Sequence, residues 1–247
     1  MNRIPLSKPD HPNEPGALFN TLREIITSRR WDEGDYAVAF ERRVAEMCGS
    51  VFAVATNSGV AALDAICALT GLSSDAHVVC PSYAPMGTIN AILSAGAKPI
   101  FADIDPKTYN LSLKDVENRI TPKTKAILLV HQYGIPADGE AFKEFCQARN
   151  LVLIEDATSG LGSRFNGRAI GSFGLAGLLS FHPRKVMAFG EGGMVLTDDE
   201  ELAFRARSFG MQGKNSSKDW STDVPSGLRM SEFQAALGHW ALDRSEE

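Results

Sequence analysis

This 247-residue sequence predicts a three-layer α/β/α fold, with helices on both faces of a mostly parallel central sheet. Two observations carry the assignment. Between residues 77 and 155, four short apolar runs alternate with stretches of helical apolar spacing, the rhythm of strand–helix–strand units. At 44% hydrophobic residues the chain can also bury a substantial core.

Composition excludes several classes of function. A net charge of −5 leaves no electrostatic footprint for nucleic acid or an anionic membrane, and neither partner is expected. Cys48, Cys67, Cys80 and Cys146 are dispersed, with no C-x-x-C pair and no clustered histidines. No metal site or disulfide framework is therefore expected, and reduced thiols in the cytoplasm fit best. Residues 1–15 contain four prolines and lack the apolar run of a secretory signal, and no stretch reaches transmembrane length.

In chain order, residues 1–30 read as an extended proline-rich arm followed by a helix over Leu18–Ser28. Trp31–Gly34 is a loop, and Tyr36–Met47 has a helical face that Gly49 ends. Val51–Ala55 is a short strand that turns at Thr56-Asn57-Ser58-Gly59 into a small-residue helix, Val60–Leu69. The alternation then runs strand His77–Cys80, helix Met86–Ser94, strand Ile100–Ile104, helix Leu113–Ile120, strand Ala126–Val130, helix Gly139–Arg149 and strand Leu151–Glu155. Ser112 with Asp115 resembles a capping box. Asn166-Gly167 is a hairpin signal flanked by Arg164 and Arg168, which read as exposed strand charges. Ala176–Phe181 and Met194–Thr197 form a second hairpin, with a helix over Asp199–Phe209 behind it. Gly213–Ser226 is a polar loop, and Ser231–Leu242 is the last helix.

Three stretches stand where such folds bind ligands, beyond the carboxyl ends of strands: Ser58-Gly59, His131-Gln132-Tyr133-Gly134 and Glu155-Asp156. A strand feeding a helix N-terminus at Gly59 and Val60 makes an anion site, although ordinary capping by Asn57 or Ser58 explains the same residues more simply. Asp156 ends an apolar strand, where a carboxylate needs a cationic partner, and it reads equally well as a helix cap. Lys185 follows Pro183 on the turn between two apolar strands. An amine held there in a partly desolvated pocket loses its proton easily and becomes a nucleophile suited to Schiff-base chemistry. The local residues alone favour a solvated surface lysine.

The motifs T-N-S-G-V-A-A-L-D, P-S-Y-A-P-M-G-T-I-N-A-I, K-A-I-L-L-V-H-Q-Y-G, I-E-D-A, S-F-H-P-R-K with G-E-G-G, and G-L-R-M-S-E-F-Q-A-A-L-G occur in this order. The sequence from Trp31 onward resembles the DegT/DnrJ/StrS sugar aminotransferases, pyridoxal 5′-phosphate (PLP) enzymes of fold type I. The resemblance implies that residues 31–230 are the PLP-binding large domain, and that 231–247 begin a connecting helix to a small C-terminal domain. It implies that Lys185 forms the Schiff base with PLP and shuttles the proton, and that Asp156 pairs with the pyridine nitrogen. Ser180 and the backbone of Gly59 and Val60 would hold the phosphate, and Ser159 takes the position that contacts the cofactor hydroxyl. The implied substrates are an amino donor, typically glutamate, and a nucleotide-linked keto sugar, with pyridoxamine phosphate (PMP) between the half-reactions. A homodimer is also implied.

Three positions depart from the family pattern. Pro85 stands where an aromatic ring stacks on the cofactor, Ser159 where glutamine is common, and Gly227 where an asparagine reaches the partner's phosphate. These departures, and a chain expected to lack most of the small domain, raise the alternative of a non-catalytic or split subunit that pairs with another chain; a PLP-dependent sugar dehydratase is a second alternative, because fold and cofactor do not fix the reaction.

Overall fold

Short apolar strands alternating with helices force parallel pairing, because each crossover must return along a face of the sheet. The computed structural model describes residues 16–32, 34–210 and 227–245. Its strands are Phe52–Thr56 (β1), His77–Pro81 (β2), Lys98–Ala102 (β3), Thr124–Val130 (β4), Val152–Asp156 (β5), Arg164–Phe165 (β6), Arg168–Ala169 (β7), Ala176–Ser180 (β8) and Gly193–Thr197 (β9). Its helices are Gly16–Ser28 (α1), Asp35–Cys48 (α2), Gly59–Leu69 (α3), Met86–Ser94 (α4), Leu113–Arg119 (α5), Gly139–Gln147 (α6), Glu200–Gly210 (α7) and Glu232–Ser245 (α8).

Seven strands form one sheet in the order β1-β9-β8-β5-β4-β2-β3, and β6 pairs with β7 alone. From β8 through β5, β4 and β2 to β3 every pair is parallel, and β9 runs antiparallel to both β8 and β1. Successive strand residues feed opposite cores. Val78, Leu128, Leu178 and Val195 pack with α3, α4 and α7 on one face. On the other, Val79, Ile127 and Leu129 pack with α5 and α6, and Met194 and Leu196 pack with α2 and α8. Burial on both faces explains why these strands read as continuous apolar runs rather than as alternation. The four cysteines are free and buried, and burial pushes the Cys67, Cys80 and Cys146 thiols up to about 12. No helix among the described residues is long and apolar enough to cross a membrane.

Element boundaries shift where pairing overrides local composition. The strand expected at Ile100–Ile104 lies at Lys98–Ala102, because His77 to Pro81 draw Lys98 to Ala102 into register. Pro99 is tolerated there on an edge strand. Strand β5 runs one residue further than expected, so that Asp156 itself joins the ladder opposite Val130 and Leu178. The Ser112 box is half formed: the hydroxyl accepts from Asp115 N, but the Asp115 carboxylate turns away to accept from Asp103 N. A complete box instead opens α8, where Ser231 and Gln234 bond each other's backbone N–H. Asn166-Gly167 does turn the β6–β7 hairpin, both residues having positive φ.

The reading as exposed strand charges holds for Arg164 and needs correction for Arg168. Arg164 is exposed but donates to the Gly167 and Met47 carbonyls. Arg168 is half-buried, 4.8 Å over the Phe173 ring, and bonds the hydroxyl and carbonyl of Ser172. The proline-rich arm and the polar loop at 213–226 lie outside the described residues.

At the end of β5 the Glu155 carboxylate is fully buried and meets four donors. Oε1 accepts from His131 Nε2 at 3.0 Å and Gly171 N at 2.9 Å, and Oε2 from Phe173 N at 2.6 Å and Gly174 N at 2.7 Å. The His131 Nδ1 accepts from Ala137 N, so the ring proton sits on Nε2 and faces the carboxylate. Glu155→Ala would orphan all four donors in the core and should lower stability by more than about 3 kcal/mol, each unmet buried group costing about 1–3 kcal/mol. Urea unfolding measures this, and an unchanged midpoint would show that the donors find other acceptors.

Candidate active site

The carboxyl ends of β5 and β8 and the N-terminus of α3 surround a cavity of about 540 Å³. Its volume suits a small organic ligand. Gly59, Val60, Asp156, Ser180 and Lys185 all line it. Ser159 contacts it through the lysine.

Helix α3 begins with Ser58 as its cap, in extended conformation, with its hydroxyl accepting from Ala61 N at 3.2 Å. Asn57 is engaged elsewhere, its N–H on Leu228 O and its amide on Gly227 O. The cap satisfies one donor of the first turn and leaves others free. Among the described residues no acceptor faces the N–H groups of Gly59 and Val60, which the helix dipole makes attractive to an anion. Two glycines bring this helix end against the β8–β9 hairpin. A Cβ on Gly59 would lie 2.6 Å from Ser180 Cβ and 2.9 Å from its Oγ, and one on Gly193 would strike the Ser58 carbonyl. Ser180 therefore stands beside the free N–H groups, its own hydroxyl accepting from His182 N at 3.4 Å.

Lys185 closes a four-residue turn in which its N–H donates to His182 O at 2.8 Å, with Pro183 at the second position. Its amine points inward and donates to Thr158 Oγ1 and Ser159 Oγ, both at 3.0 Å. The pKa is held below that of an ordinary lysine, chiefly by burial. The Asp156 carboxylate opposes that effect and the Arg184 guanidinium reinforces it. The solvated-lysine alternative fails because the turn aims the side chain into the cavity.

Asp156 is buried, with Oδ2 accepting from Thr88 Oγ1 at 3.0 Å and Oδ1 from Thr158 N at 3.1 Å. No helix follows it, so it caps a turn rather than a helix. Its two oxygens still have lone pairs to offer a cationic group in the cavity.

Of the three expected stretches, His131-Gln132-Tyr133-Gly134 does not reach the cavity. His131 serves Glu155, Gln132 donates to the Tyr83 carbonyl, and Tyr133 is exposed beside Tyr83. The contribution of this stretch is indirect, through Gly134, where a Cβ would meet the Ser159 carbonyl oxygen at 2.6 Å. Sequence reasoning missed Thr88, Thr158, His182, Arg184 and Glu191, all of which line the cavity. Pro85 forms part of its wall at the start of α4. Thr88 carried a usable signal: it falls in the first turn of a helix that starts beyond a strand end.

The residues present fit PLP. A phosphate has free N–H groups and a hydroxyl, a pyridinium has a buried carboxylate, and an aldehyde has an amine of lowered pKa within one cavity.

Two predictions follow from this geometry. Lys185 should react with amine reagents at a lower pH than an ordinary lysine. Asp156→Asn, which removes the carboxylate that raises its pKa, should move the midpoint lower still; pH-dependent labelling read by peptide mass spectrometry would detect no movement if the two groups were uncoupled. Gly59→Ala should destabilise the chain by about 1–3 kcal/mol, the scale of overpacking, and weaken PLP binding in a fluorescence titration. Wild-type affinity in that variant would place the phosphate elsewhere.

Comparison with known proteins adds to this geometry. Residues 13–247 match the model of the DegT/DnrJ/EryC1/StrS aminotransferase family. GDP-perosamine synthase of Escherichia coli O157:H7 is 36% identical over 250 residues, covering 100% of this chain and 68% of that protein. GDP-perosamine synthase of Caulobacter vibrioides is 36% identical over 215 residues, covering 87% of this chain and 58% of the relative. Among solved structures, NtdA of Bacillus subtilis with bound cofactor PMP superposes with a TM-score of 0.85 at 30% identity, covering 96% of this chain and 56% of that one. The chain thus spans about three fifths of the length of such relatives.

Proposed function

The chain belongs to the DegT/DnrJ/EryC1/StrS aminotransferase family, and from that premise we propose that it acts in PLP-dependent transfer of an amino group, from glutamate as donor, to a nucleotide-linked keto sugar. The observation that carries the proposal is the meeting of a half-buried lysine amine, a buried aspartate and an open helix N-terminus on one cavity. The PMP bound to NtdA and the nucleotide-linked sugar in the name GDP-perosamine synthase support the cofactor and the acceptor class.

When bound, PLP supplies an electron sink for the carbanion formed at the substrate carbon. The other work falls to this chain's residues. Lys185, deprotonated more readily than an ordinary lysine, would be the nucleophile that holds the cofactor aldehyde and the group that moves the proton to and from the substrate carbon. Thr158 and Ser159 hold its amine in position as hydrogen-bond acceptors. Asp156, fixed by Thr88 and its own turn, keeps the ring nitrogen protonated. The Gly59 and Val60 N–H groups and the Ser180 hydroxyl bind the phosphate.

The test is reduction with borohydride in the presence of PLP, followed by mass spectrometry of the peptide that contains Lys185. A pyridoxyl adduct on Lys185, absent in Lys185→Ala, is the expected result, and an adduct on another lysine or none would refute the assignment. Asp156→Asn should keep the adduct yet slow the glutamate half-reaction by on the order of 10²-fold or more, the scale of a lost acid–base group.

A further inference from the structure

Apart from helping to lower the Lys185 pKa, the charge of Arg184 has no use in the chemistry described above. Arg184 lines the same cavity and is exposed, and its charge reaches the Lys185 amine. Its backbone is tightly held: its N–H donates to His182 Nδ1 at 3.3 Å, and Pro183 and the Lys185 N–H to His182 O bond fix the turn on either side. Among the described residues no carboxylate pairs with the guanidinium. The two acids of the cavity are otherwise placed. Asp156 is buried among Thr88 and Thr158, and Glu191 lies 3.9 Å from His182 Nε2 at the rim. An arginine whose backbone is fixed one residue before a nucleophilic lysine can offer its planar fork of donors to a carboxylate on whatever reacts there.

The covalent chemistry of the reactants says which carboxylate that would be. An α-amino acid carries its carboxylate on the carbon that bears the reacting nitrogen. When that nitrogen takes the place of the Lys185 amine, the carboxylate must lie close by. The acceptor has no ionised group next to its ketone, and its charges sit on a diphosphate several bonds away. The cofactor phosphate already has donors at the start of α3. We propose that Arg184 is the specificity residue for the amino donor, pairing with the α-carboxylate while the amine reacts. The proposal rests on the transaminase reading of the same cavity.

The first test uses the unaltered chain. Phenylglyoxal modifies accessible arginines, and mass spectrometry of the peptide bearing Arg184 follows its loss. With PLP present, L-glutamate should protect Arg184 and butylamine, which lacks a carboxylate, should not. Protection by inorganic phosphate or a nucleoside diphosphate in place of glutamate would overturn the proposal, as would no protection by any of them. The second test is Arg184→Gln. The glutamate concentration that half-saturates the spectral change of the PLP-loaded protein should rise roughly tenfold to hundredfold, the scale of a lost hydrogen bond to a charged group. Any effect through the Lys185 pKa should appear equally with butylamine and be small; the loss toward glutamate should far exceed it, and Arg184→Lys should recover part of that excess. Equal weakening toward glutamate and butylamine, or loss of PLP affinity, would contradict the assignment. A Lys185 adduct without protection of Arg184 would refute this inference alone; protection without an adduct would refute the transaminase reading alone.

Discussion

Glu155 has no exposed surface and four hydrogen-bond donors turned toward its two oxygens. Burying a carboxylate with no cation beside it is unfavourable by several kcal/mol unless hydrogen bonds replace its water, and here three backbone N–H groups and one neutral histidine do so. The donors come from the end of β4 and from the segment that leads into β8. The carboxylate therefore ties the carboxyl ends of β4 and β5 to the loop that enters β8. Strand geometry sends the next side chain, Asp156, to the opposite face. One face of β5 thus anchors the loops and the other supplies a carboxylate to the cavity, and the position of the second depends on the rigidity of the first.

The remaining walls follow from close backbone approach. At Gly59 and Gly193 any side chain would collide with the facing hairpin or helix, so α3 can start directly beside Ser180 and the Lys185 turn. Proline at 183 and the hydrogen bond across the turn direct the lysine inward, and Thr158 and Ser159 receive its amine. Burial there favours the neutral amine and Asp156 the charged one, and burial wins, so the pKa lies below that of an ordinary lysine. An arginine one residue earlier shifts the balance toward the neutral form without needing direct contact.

Much of this was legible in the sequence, for physical reasons that differ by residue. The layered fold followed from apolar runs that are buried on both faces. Gly59, Asp156 and Lys185 could be singled out because each sits at a strand end or a turn, although local composition explained them as well by capping or a solvated lysine; Ser180 came only with the family resemblance. The partners of those residues could not. Thr88 is 68 positions from the aspartate it bonds, and Thr158 is 27 from the lysine. Such contacts arise from strand order, which no local pattern encodes. The motif His131-Gln132-Tyr133-Gly134 misled for a related reason: its strand ends at the right edge of the sheet, but His131 faces Glu155 rather than the cavity. Arg168 misled because a charge in a short hairpin reads as solvated unless the ring beneath it, Phe173, is known to be near.

The central claim is that one cavity holds all three parts of a PLP site. A crystal structure determined with PLP present tests it most directly. The account predicts continuous electron density from Lys185 Nζ to the cofactor, with the phosphate on the N–H groups of Gly59 and Val60 and the ring nitrogen against Asp156. Density that left Lys185 free, or a cofactor bound with its phosphate away from the start of α3, would contradict it.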